Sequence, residues 1–116
     1  MVGPQEIFKE KLFCIFELLA RRDYLELEKV TGGVRLHAIE IEGAVKSYGR
    51  TMAVPPLSHL ELMDVIEIEG VDPKKWSISI PLWTMEEGRS DLTLEITVVR
   101  NNDCQFIVEL DDIHVL

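Results

Sequence analysis

Residues 76–99 read WSISIPLWTMEEGRSDLTLEITVV, and the parsing of that stretch decides the fold. Trp76, Ile78, Ile80 and Leu82 alternate with small polar residues, and Leu92, Leu94, Ile96 and Val98 do the same after a charged break. A strand sends successive side chains to opposite faces, so a period of two predicts two strands with one apolar face each. The break, Thr84 to Asp91, contains Gly88 and reads as the turn of an antiparallel hairpin.

Working outward, Met63 to Glu69 alternates as well, with Ile66 and Ile68 assigned to the apolar face and Glu67 and Glu69 to the other. Asn101 to Asp103 is a turn signal, and Gln105 to Val115 is the last strand. Pairing these in order gives an inner face of Trp76, Ile78, Ile80, Leu82, Leu92, Leu94, Ile96, Val98, Phe106, Val108 and Leu110. The outer face collects Ser77, Ser79, Trp83, Thr93, Glu95, Thr97, Ile107, Glu109 and Asp111, the pattern of a sheet packed on one side and wetted on the other.

Upstream the period changes. Ile7, Phe8, Leu12, Ile15, Phe16 and Leu19 recur at helical spacing behind Pro4, which predicts a helix from about Gln5 to Arg21, with Phe13, Cys14 and Leu18 widening its buried stripe. Asp23 can cap a short helix, Tyr24 to Val30, that ends at Thr31-Gly32-Gly33. A third should run from His37 to Tyr48 and stop at Gly49, followed by a short extended piece, Thr51 to Val54, before Pro55-Pro56. The expected fold is therefore α+β: three N-terminal helices on one face of a four-stranded antiparallel meander, as a single domain over residues 1–116, helical in 1–50 and β in 60–116.

Charge is divided between these halves. Residues 1–58 hold eight basic and eight acidic side chains, whereas residues 59–116 hold four and thirteen, so the β half carries the whole formal charge of −9. Such a surface repels a phosphate polyanion and steers a basic partner toward itself. Direct nucleic-acid binding is not expected. No apolar run approaches the roughly 20 residues that span a bilayer, and Glu6, Lys9, Glu10 and Lys11 interrupt any secretory signal core. The two cysteines, Cys14 and Cys104, have no motif spacing, which points to a reducing compartment while leaving one bridge between them open. The expected location is the cytoplasm, with no membrane partner.

Catalysis needs an acid, base or nucleophile aimed into a pocket. None of the inner positions is ionisable. Cys14 on its apolar helix reads as a small buried hydrophobe, and Ser90 lacks the Gly-x-Ser-x-Gly frame of a nucleophile elbow. His114 beside Asp111 and Asp112 raises metal binding, but strict alternation separates Asp111 from the other two and leaves too few ligands. No catalytic residue, cofactor or metal is therefore assigned. The acidic residues remain: Glu67, Glu69, Glu86, Glu87, Asp91, Glu95, Glu109, Asp111 and Asp112, with Trp83 as an aromatic anchor, form the candidate partner-binding surface. An outward Trp83 is equally consistent with a homodimer contact or with a covering loop.

The segments Ile80-Pro81-Leu82-Trp83-Thr84, Glu87-Gly88-Arg89-Ser90-Asp91-Leu92-Thr93-Leu94-Glu95 and Asp111-Asp112-Ile113-His114-Val115-Leu116 resemble a bacterial family of small proteins of unknown function, and the likeness extends through Tyr24 and Tyr48-Gly49-Arg50-Thr51. In the order of its elements the chain is similar to the NTF2-like (cystatin-related) superfamily, which implies a curved sheet behind helices and includes enzymes, ligand binders and immunity proteins. Fold alone does not choose among them. The leading expectation is a non-catalytic immunity protein, as in contact-dependent growth inhibition, that neutralises a basic toxin domain such as a nuclease through its acidic β half. The alternative is a small-molecule binder or enzyme with a pocket between helices and sheet that would draw on His37, His59 or Tyr48.

Overall fold

A computed structural model describes residues 4–102 and 105–116. The turn residue Asp103, and Cys104 with any pairing it makes, lie outside the described residues. Three helices, α1 (Pro4–Ala20), α2 (Tyr24–Val30) and α3 (Ala38–Tyr48), precede a short 3-10 helix (Leu57–Leu62) and four strands, β1 (Asp64–Ile68), β2 (Lys75–Thr84), β3 (Gly88–Arg100) and β4 (Phe106–Val115). The strands form one antiparallel sheet in the order β1-β2-β3-β4.

Local chemistry explains the helix ends. Arg22 takes a left-handed φ of 59°, which lets the Asp23 N–H reach the Leu18 carbonyl at 2.9 Å and closes α1. The Asp23 carboxylate accepts the Glu26 N–H and opens α2. At α3 the Glu40 carboxylate accepts the His37 N–H at 3.0 Å, while Glu28, reaching across from α2, accepts the Ala38 N–H at 2.6 Å. Gly49, at φ 76°, ends that helix.

Phe8, Leu12, Ile15, Phe16 and Leu19 of α1, Leu27 of α2 and Ile41 and Val45 of α3 share one core with the inner faces of β2, β3 and β4. Phe8 meets Trp76 edge-on at 5.3 Å, and Trp76 in turn meets Phe106 at 6.0 Å. Cys14 departs from expectation: it is exposed, because the face of α1 that meets the sheet runs through Phe8, Leu12, Ile15, Phe16 and Leu19, and Cys14 turns away from it.

Two further departures concern parity. In β1, Ile66 pairs with Ser77 and Glu67 with Trp76, so Val65 faces the core while Ile66 stands 60% exposed on the outer face. Glu67 accordingly lies on the helix side at the sheet rim, ion-paired with Lys74 at 3.4 Å, and Glu69 follows β1 in an exposed turn. An edge strand buries little on either face, so its own apolar pattern does not fix its register. In β4, Glu95 pairs with Asp112 and Ile96 with Leu110, leaving Asp111 as the extra residue of a bulge. The bulge turns Ile113 into the core and puts Asp111, Asp112 and His114 on the outer face, where strict alternation separates them.

Candidate functional site

The densest charged segment closes the β2–β3 hairpin, and its carboxylates are already engaged. Thr84 pairs with Gly88, whose φ of 73° completes the tight turn over Met85-Glu86-Glu87. Glu86 accepts the Thr51 N–H at 2.9 Å and its hydroxyl at 2.8 Å, and the N–H bond foremost holds the Glu86 carboxyl below the ordinary carboxylate range. Glu87 accepts the Tyr48 hydroxyl at 2.7 Å and lies 3.5 Å from Arg50, and that hydrogen bond raises the Tyr48 phenol above its usual value. The Tyr48 oxygen in turn accepts the Asp91 N–H. These contacts clamp the hairpin tip to the end of α3.

Trp83 stands beside the clamp, half-buried. His59, only 4% exposed, meets its ring edge-on at 5.2 Å and shares a 2.6 Å hydrogen bond with the Pro81 carbonyl. Since a carbonyl only accepts, Nε2 of His59 carries the proton there. Pro81 lies past the last β1 partner, on the open edge of β2, the position where a strand tolerates a missing N–H. Thr51 to Ala53 and the 3-10 helix close this edge, with the Ala53 N–H on the Trp83 carbonyl and the Met85 N–H on Thr51. These segments and His59 cover part of the outward tryptophan.

The remaining acidic residues converge around the β4 bulge. Thr97 donates to Asp111, which Arg35 of the α2–α3 loop approaches to 3.5 Å from beyond the β4 edge. His114 Nδ1 lies 3.1 Å from an Asp112 oxygen and 3.3 Å from a Glu95 oxygen. Glu109 faces the same side opposite Thr97. On the same face Ile107, 47% exposed, lies two residues before Glu109 on β4, whereas Ile66 stands on the far edge strand, with Ser77 and Thr97 between it and Glu109.

The three residues of the pocket alternative do not converge. His37 is an exposed helix cap beside Glu28, His59 is held against Pro81, and Tyr48 belongs to the hairpin clamp. A hollow of about 330 Å³ does open between α1, the end of α2 and the start of β4, lined by Cys14, Ile15, Val30 and Phe106 with Lys11 at its rim. A cleft of about 420 Å³ lies among the helix ends, between Arg22, Tyr24, Lys46 and Arg50.

Residues 16–116 match the family described as a domain of unknown function, DUF7668. The chain belongs to that family. No curated protein and no solved structure matches it. The DUF7668 match begins inside α1 and takes in every strand, the hairpin clamp and the acidic residues of the outer face.

In this DUF7668 chain, the sequence marks Glu95, Glu109, Asp111 and Asp112 as acidic residues of the β half but not what surrounds them. Glu95 and Thr93 stand opposite Asp112 and His114 across the ladder. The available signal was that alternation through Asp111-Asp112-Ile113-His114 buries a carboxylate and exposes an isoleucine, a conflict that one bulged residue removes. No helix among the described residues is long and apolar enough to cross a membrane.

Proposed function

We propose that this chain is a non-catalytic binding protein that engages a basic protein partner through the outer face of its sheet, and that it serves as the immunity protein of a bacterial toxin system such as contact-dependent growth inhibition. The observation that carries the reading is the composition of that face. Glu95, Glu109, Asp111 and Asp112 cluster around the β4 bulge, with the exposed Ile107 beside Glu109 on the same strand. An acidic cluster beside an exposed apolar side chain is suited to protein recognition: burial supplies affinity, and charge sets encounter rate and partner choice. A nuclease toxin is basic because it holds a polyanion, and an acidic surface can occupy that site instead.

The geometry narrows the contact set. Glu86 and Glu87 are bound to Thr51, Tyr48 and Arg50, Trp83 is covered by His59, and Glu67 lies on the opposite side of the sheet. Binding is therefore assigned to the bulge cluster and its apolar flank, with Asp91 at the margin and the hairpin tip as a rigid border.

The test is association kinetics with the C-terminal domain of a secreted protein encoded beside this chain's gene. The triple change Glu95→Lys, Glu109→Lys and Asp111→Lys should slow association at low salt by about tenfold or more, and it should abolish protection of cells expressing the toxin domain. Association that is unchanged at low salt would remove the proposal.

A further inference from the structure

On the outer face, β3 and β4 place four polar side chains as two facing pairs. Thr93 stands opposite His114, and Glu95 stands opposite Asp112. The bulge at Asp111 produces this arrangement, since it brings Asp112 and His114 to the side already occupied by Thr93 and Glu95.

Donor atoms of Glu95, Asp112 and His114 all lie within 4.8 Å of one another. The two contacts of His114 Nδ1, 3.1 Å and 3.3 Å, are the separations expected of neighbouring ligands around one ion. Ligands at about 2.0–2.2 Å from a metal sit about 3 Å apart at a right angle and slightly farther at a tetrahedral angle. Neither contact is aligned as a hydrogen bond: Nδ1 is shielded from solvent and has no hydrogen-bond partner among the described residues.

A second observation stands apart from the cluster. Thr93 is only 3% exposed, and its hydroxyl has no hydrogen-bond partner among the described residues. Native proteins rarely leave a buried hydroxyl unpaired, and a bound ion with its water shell is one of the few things that satisfies such a group. Its place, directly across from His114 and one pleat from Glu95, puts that hydroxyl on the same patch.

We infer that Glu95, Asp112 and His114 form a divalent transition-metal site, with the Thr93 hydroxyl oxygen as a neighbouring acceptor for the ion's water shell. Two carboxylates offset the charge of a dication, and one imidazole favours zinc, manganese or iron over magnesium and calcium, which prefer oxygen alone. Three protein ligands leave coordination positions open to water, and exposed Asp112 gives the ion a route in from solvent. The site shares Glu95 and Asp112 with the proposed partner surface, but the titration of the chain alone reads metal binding with no partner present.

The experiment is calorimetric titration of the metal-free, full-length chain with zinc chloride, with magnesium chloride as comparator. One equivalent of zinc should bind, with affinity reduced about tenfold or more by either Glu95→Gln or His114→Gln and unchanged by His37→Gln. Wild-type ring resonances give a reading that needs no substitution: zinc should shift those of His114 and leave those of His37 and His59 in place. Absence of stoichiometric binding, movement of only His37 or His59, or a cobalt(II)–thiolate charge-transfer band placing the ion on a cysteine would each overturn the assignment.

Discussion

His59 shows how one side chain can serve a sheet edge that no strand covers. Its Nε2–H donates to the Pro81 carbonyl while its ring lies between Phe16 and Trp83, at 6.4 Å and 5.2 Å. His59→Phe keeps the ring and removes the donor, so it should cost about 1–3 kcal/mol, the penalty of an unpaired buried acceptor, read as a lower urea midpoint. Glu86 makes a different prediction, in pH. Its carboxyl is held below the ordinary value by the Thr51 N–H. A carboxyl with a depressed folded pKa adds stability that is complete above the unfolded value and is lost as pH falls through the folded one. For Glu86 that window opens near 4.5 and extends downward. Glu86→Gln should therefore flatten the acid limb of stability against pH, and an unaltered limb below that point would count against the bond.

At the scale of elements, the bulge in β4 reconciles an apolar core with a charged rim. Leu110 and Ile113 both face inward although two residues separate them, because Asp111 and Asp112 together oppose Glu95. Deleting Asp111 would make β4 a regular strand and still leave Ile113 inward and Asp112 and His114 outward. The deletion variant should fold cooperatively with a dispersed amide spectrum, losing only the Thr97 and Arg35 contacts. A collapsed, poorly dispersed spectrum would mean that the bulge itself carries the fold. The β2–β3 hairpin adds a second irregularity: between the pairs Pro81–Thr93 and Trp83–Arg89, β3 carries two extra residues. The Ser90 hydroxyl repairs the gap by donating to the Leu82 carbonyl and accepting the Leu92 N–H.

Over the whole molecule, one apolar core joins a helical half without net charge to an acidic sheet. Ile96 lies at its centre, fully buried between Ile78 and Leu110 on the neighbouring strands. Ile96→Ala should cost about 2–5 kcal/mol, measured as a shift in denaturation midpoint at unchanged slope. A much smaller loss would mean that the helices reseat over the sheet.

Much of this was legible in the residues themselves. The paired runs Trp76 to Leu82 and Leu92 to Val98 announce their strands by alternation; Pro4 marks a helix start by its fixed φ and missing N–H, and Asp23 and Gly49 mark boundaries through bonds made within a few residues. Inner and outer faces of the two central strands follow from the same pattern, since both are packed along their length and a slip would bury charge. Tertiary structure decided what depends on distant partners: the side that Ile66 and Glu67 occupy, the covering of Trp83 by His59, and the meeting of Thr93, Glu95, Asp112 and His114. The first and last are set by register, a joint property of two strands chosen by the burial that the pair achieves together, and the second by a segment packing on a distant sheet edge; neither is contained in one strand's own order of residues.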